Sequence, residues 1–176
     1  MGLTKLAPAP WSPVPRWLAS PGLTALQRAI VMRAVADDGE LERPLGSNRS
    51  PYIDEMTRWA GLKPPQYWCA LWVAKVWTDA GAAVPVGFPS CDAWLPYLEP
   101  LDTLTRAERI GCAVLYGVPT DAKHIGIITR CEDDLTLTTE GNRGYANSGT
   151  NNGVCVDTAP LTRKDVLGVV RPREKA

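Results

Sequence analysis

The chain has 176 residues, 45% of them hydrophobic and 22% charged, which is the make-up of a folded domain and not of a disordered segment. Lys plus Arg and Asp plus Glu both number 19, so the net charge is zero and the balance offers nothing to nucleic acid or to an anionic membrane surface. No apolar run reaches the roughly 18 residues of a membrane span.

In chain order, residues 1–22 read as an extended arm, because Pro8, Pro10, Pro13, Pro15 and Pro21 each remove a backbone donor and fix φ. Trp11 and Trp17 suit an arm that lies against the domain formed by residues 23–176. The opening MGLTKLAPAPWSPVPRW lacks the apolar core of about 7–15 residues that a secretory leader needs. TALQRAIVMRAVADDG then predicts a helix, with Thr24 and Gln27 spaced as a capping box and Gly39 as its stop. SPYIDEMTRWAG predicts a second, with Ser50 as N-cap, Pro51 in the first turn and Gly61 beyond its end. PPQYWCALWVAKVWTDAG predicts a third, starting near Cys69 and ending at Gly81, with an apolar stripe of Leu71, Trp72, Val76 and Ala80. A Pro-rich link covers 85–100. Beyond it the apolar period falls to two in CAVLYG, HIGIITR, LTLTTE, GVCVDT and VLGVVR. Helices followed by a meander of about five strands predict an α+β fold with an antiparallel sheet.

The cysteines are Cys69, Cys91, Cys112, Cys131 and Cys155. Their odd number and wide spacing fit neither a zinc ribbon nor a disulfide framework, so free thiols are the expectation. Cys69 differs from the rest by its place at a helix start, where unpaired N–H groups favour thiolate and can receive an oxyanion. A nucleophile also needs a base, and the chain has one histidine, His124, at the head of a strand. Gly126, two residues on, is expected to leave open space beside the ring. Glu140, at the end of the following strand, is the group to orient that imidazole, with Asn142 beside it. Each residue alone has a plain structural reading; the three together, on a helix start, a strand and the next strand end, read as a nucleophilic site.

These stretches also carry a resemblance. SNRSPYIDEMTRWAGLKPPQYWCALWVAKVWTDAG, KHIGIITR and TTEGN resemble the CHAP family, the cysteine, histidine-dependent amidohydrolases/peptidases of the NlpC-like and papain-like superfamily, over about residues 46–170. The resemblance implies a papain-like fold and cleavage of peptidoglycan, at the N-acetylmuramoyl-L-alanine amide or within the stem peptide or cross-bridge. It implies Cys69 as nucleophile, His124 as base, Glu140 as orienter and Asn142 as a supporting polar group. The Cys69 backbone N–H is the implied oxyanion donor, with Gln66 as a second candidate. Tyr67, Trp68, Trp94, Arg143 and Tyr145 are expected to line the substrate groove. The chain departs from the family at Cys112, where members carry an Asp, and at Tyr67, where several carry a Pro; the first change bears on local loop structure. ADDGE at 36–40 lacks the alternation of a calcium loop, so no metal or other cofactor is expected. The expected setting is synthesis in a bacterial cytoplasm and action on the cell wall after release or delivery. The expected partners are peptidoglycan and an immunity protein or phage particle component, with no nucleic acid and no membrane span. Two other readings stay open. One is a thiol hydrolase or transferase acting on a different amide. The other is a non-catalytic phage module anchored by Trp11, Trp17 and Trp94.

Overall fold

The Thr24 hydroxyl takes the Gln27 N–H, and the Gln27 side chain returns the bond to the Thr24 N–H, so the first helix starts where the capping box places it. This is a computed structural model, and it describes residues 22–132, 135–144, 151–157 and 165–175. Helix α1 spans Ala25–Ala36 and helix α2 Pro51–Trp59, the latter capped by Ser50 with Pro51 in its first turn. Helix α3 spans Cys69–Asp79. A 3-10 helix at Cys91–Tyr97, a shorter one at Leu101–Thr103 and a single turn, α4, at Arg106–Arg109 lead into the strands. These are β1 Ala113–Val118, β2 Asp121–Glu132, β3 Leu135–Gly144, β4 Asn151–Asp157 and β5 Val166–Val170.

The chain is thus α+β, with N-terminal helices packed on a five-stranded antiparallel sheet. The sheet order is β4-β3-β2-β1-β5. Only the first four strands form the expected meander. β5 returns to pair with the free edge of β1, from Ala113↔Val170 to Tyr116↔Val166. The continuous apolar run of β1 explains this: Ala113 and Leu115 face the helical core, while Val114 and Tyr116 face a second cluster with Ile128 and Val169. A strand buried on both faces belongs inside a sheet.

Helix α3 is the centre of the larger core. Every residue from Cys69 to Ala74, together with Val76 and Trp77, is buried, so the expected stripe widens to nearly the whole circumference. Asp37, just past α1, ties the helices together. Its carboxylate accepts from the Tyr52 hydroxyl at 2.6 Å and the Trp72 indole at 3.0 Å, and pairs with Arg33. The Pro-rich link is packed, not extended. Trp94 is 0% exposed and meets Trp77 edge to face at 5.1 Å. Cys112 is buried and donates to the Glu108 carbonyl at 3.1 Å, closing the turn before β1 without a carboxylate. Among the described residues no helix is long and apolar enough to cross a membrane. The arm, including Trp11 and Trp17, lies outside the described residues.

Candidate active site

Cys69 is the first residue of α3, and the residue before it, Trp68, caps nothing with its side chain. The first-turn N–H groups therefore take no capping bond from Trp68 at the end that carries the positive pole of the helix. Trp68 serves as an anchor instead. Its ring is 0% exposed, and its indole N–H donates to Glu42 at 2.9 Å. Glu42 in turn accepts the Asn48 N–H at 3.0 Å, which fixes the loop that borders the sulfur.

His124 comes from β2, paired in register with Tyr116 of β1, and the two rings stack at 5.8 Å. Its Nε2 lies 3.0 Å from the Glu140 Oε2. That contact leaves Nδ1 as the ring nitrogen for the Cys69 sulfur, and the two groups favour each other's charged forms. Glu140 is fully buried on β3. Its Oε1 accepts the Tyr116 hydroxyl at 2.7 Å and the Thr138 hydroxyl at 2.8 Å, while its Oε2 also meets Arg143 at 2.8 Å.

The EGN stretch has a local physical explanation. In a regular strand residues 140 and 143 would face opposite sides. Here the β3–β4 register shifts between Glu140 and Arg143, and Asn142 adopts φ 56°, a bulge that turns both side chains to one place. Asn is among the few residues that accept this backbone readily. Gly141 is needed for a second reason: a Cβ there would lie 2.9 Å from both Trp68 and Trp72, so its absence lets α3 approach β3. Gly126 does not leave open space. A Cβ on it would stand 2.6 Å from the Glu140 Cγ, so the gap beside the imidazole is filled by the carboxylate side chain that crosses from β3.

The electrostatics follow from these contacts. The thiol of Cys91, whose sulfur is 3.6 Å away, is the main influence holding Cys69 well below the ordinary 9.0; burial opposes it, and His124 and the Ala70 N–H reinforce it. Burial works against charge on His124, but Cys69 and Glu140 prevail and raise it from 6.5 to about 9. Burial would also raise Glu140, yet His124, Arg143 and Tyr116 hold it at about 2. These directions favour a thiolate–imidazolium pair braced by a carboxylate. Cys112 is pushed the other way by burial, up to about 12.

A cleft of about 420 Å³ opens at this point, lined by Cys69, His124, Asn142, Tyr67, Lys123 and Glu42 among others. Tyr67 stands 81% exposed at its rim. Of the residues expected in the groove, Trp68 and Trp94 are instead core, since both rings are 0% exposed. Arg143 pairs with Glu140, and Tyr145 lies outside the described residues. Gln66 does not line the cleft; it is exposed and donates its amide to the Lys63 carbonyl at 2.9 Å. Tyr116, Thr138, Glu42 and Cys91 complete the site without having been singled out in the sequence. Thr138 had a readable signal, because it shares the strand face of Glu140 at a spacing of two. Among the described residues no group of three or more His, Cys, Asp and Glu is placed to hold a metal ion. In comparisons with known proteins, the chain matches no family model, no curated protein sequence and no solved structure.

Proposed function

We propose that the chain is a cysteine amidohydrolase/peptidase of CHAP-like, papain-like kind that hydrolyses an amide of peptidoglycan. The observation that carries this reading is the linear order Cys69–His124–Glu140 at the uncapped start of a buried helix, with Nε2 on the carboxylate and Nδ1 left for sulfur. The resemblance of WCALWVAKVW and TTEGN to the CHAP family supplies the substrate class. An exposed Tyr67 at the cleft rim offers an aromatic face to a sugar or peptide.

In this mechanism the Cys69 thiolate attacks the amide carbonyl, and first-turn N–H groups of α3 hold the oxyanion. His124 protonates the leaving amine, then takes a proton from the water that hydrolyses the thioester. Glu140 keeps the ring oriented and its charge favourable. Oxyanion and acid–base contributions are each worth on the order of 10²–10⁴-fold.

Purified peptidoglycan digested with wild type and with Cys69→Ala, followed by mass spectrometry of the soluble products, tests this. Wild type should release fragments and the variant none. Free stem peptides would mean amidase chemistry; shortened or unlinked peptides would mean endopeptidase chemistry. Fragments from the alanine variant would overturn the assignment of Cys69. Wild type that alkylates rapidly at Cys69 near about pH 6 yet releases nothing from several wall types would move the substrate to another amide.

A further inference from the structure

The mechanism uses one cysteine, but the site holds two. The Cys91 sulfur lies 3.6 Å from the Cys69 sulfur, and both thiols are free. Cys91 belongs to the 3-10 helix Cys91–Tyr97, an element otherwise pinned to its surroundings. Asp92 accepts the Ala122 N–H at 2.8 Å, two residues before His124, and Trp94 is buried against Trp77. The second thiol is thus held beside the first by a packed element and not by a loose loop. Peptide hydrolysis through Cys69, His124 and Glu140 asks the second sulfur only to help hold the thiolate and makes or breaks no bond to it.

We propose that Cys91 is a resolving cysteine, so that oxidation of Cys69 by a hydroperoxide is captured as a reversible Cys69–Cys91 disulfide that switches the site off. As a regulatory device this rests on the hydrolase reading; as chemistry it rests only on the two sulfurs. The Cys69 thiolate attacks the peroxide, breaking the O–O bond and giving a sulfenic acid plus hydroxide or alkoxide. The Cys91 sulfur then attacks the sulfenic sulfur, the S–S bond forms, and the hydroxyl leaves as water with the Cys91 proton. Two electrons pass from the two thiols to one peroxide. The sulfurs need to close by about 1.6 Å to reach bonding distance, a movement within reach of small side-chain rotations.

Selectivity follows from the same contacts. In the reduced site the hydrogen bond to the Cys69 sulfur is the main reason that Cys91 is raised and stays a thiol, with burial next and the Cys69 charge after it. Oxidation removes the Cys69 thiolate, and with it part of what holds Cys91 protonated, at the moment its sulfur must attack. Cys112 and Cys131, both raised by burial, lack the thiolate character that peroxide attacks first.

The test exposes full-length wild type to a small excess of hydrogen peroxide and reads intact mass and non-reduced peptide maps. Wild type should become about 2 Da lighter, with the peptides carrying Cys69 and Cys91 linked, and dithiothreitol should restore alkylation of Cys69. Cys91→Ser, which keeps a hydroxyl donor beside the Cys69 sulfur, should instead carry Cys69 to the sulfinic acid, about 32 Da heavier and not recovered by dithiothreitol. Wild type that gives the sulfinic acid at Cys69 with Cys91 still free would overturn the proposal, as would linkage of Cys69 to any other cysteine. The mass readout does not depend on the substrate. A linked peptide in a protein that cleaves no peptidoglycan would sink the peptidoglycan reading and leave the thiol chemistry standing.

Discussion

Glu140 meets four side chains in a place shielded from water: Tyr116, Thr138, His124 and Arg143. Two of these donors are hydroxyls, which can rotate to accept, and two are nitrogens that favour a negative acceptor. Glu140→Gln keeps the shape and removes the charge. The variant amide can place its NH₂ toward the two hydroxyls, so the fold should persist. What changes is His124, which loses the buried charge that stabilises imidazolium, and through it Cys69. Alkylation of Cys69 at about pH 6 should slow sharply, and turnover should fall on the order of 10²–10⁴-fold. Iodoacetamide kinetics across pH separate this from a packing defect, which would not move the pH profile. An unchanged profile would reduce Glu140 to a structural acceptor. The crowding at Gly126 explains why the carboxylate has one available position: its side chain crosses β2 through the space that a Cβ would fill.

At the scale of elements, the site depends on how closely α3 approaches β3. Gly141 sets that distance, since a Cβ there would meet Trp68 and Trp72 at 2.9 Å. Both rings are buried and tied, Trp68 to Glu42 and Trp72 to Asp37, so neither can move aside easily. Gly141→Ala should lower stability by about 1–3 kcal/mol through overpacking. It should also reduce turnover, because it displaces the helix start that carries Cys69 relative to Glu140. Ser50→Ala is the contrast. It removes the cap of α2 and should cost about 1 kcal/mol while leaving turnover below the melting range intact. Urea midpoints and peptidoglycan release measured on both variants check the pair, and equal loss of activity in the two would mean that stability alone governs the site. The helices and strands themselves were legible in the sequence because their signals are local: Thr24 with Gln27, Ser50 with Pro51, and period-two runs around His124 and Glu140. The pairing of β5 with β1 was not, since it joins segments about fifty residues apart and rests on burial of both faces of β1. Trp68 and Trp94 read equally well as groove or core, because a large apolar ring suits either. The neighbour of Cys69 at Cys91 was invisible for the same reason as β5: only the tertiary packing of the 3-10 helix brings it there.

At the scale of the whole molecule, the coupled site makes a prediction about stability against pH. His124 is raised from 6.5 to about 9, so its contribution to folding is complete below 6.5 and is lost as pH rises toward 9. Cys69 is lowered from 9.0, so its contribution is complete above 9.0 and is lost as pH falls toward its own folded value. Between 6.5 and about 9 the two cancel: the folded pair holds one proton on the imidazole, and the unfolded pair holds one on the thiol. Below 6.5 the unfolded chain binds a proton on each group and the folded chain only one, so the Cys69 contribution now falls without compensation. Below 4.5 Glu140, held at about 2, adds a second proton in the same direction. Wild type should therefore show little pH dependence from this site between 6.5 and about 9, then lose up to about 1.4 kcal/mol per pH unit below 6.5 until Cys69 itself is protonated, with Glu140 adding its own loss below 4.5. In Cys69→Ala the thiolate is gone while Glu140 still raises His124, so stability should decline as pH climbs above 6.5. Urea midpoints for both proteins across this span read the difference, in which the titrations of all other groups cancel. Parallel curves on the alkaline side would mean that Cys69 and His124 do not share charge in the folded protein, and the thiolate–imidazolium description of the site would fall with it.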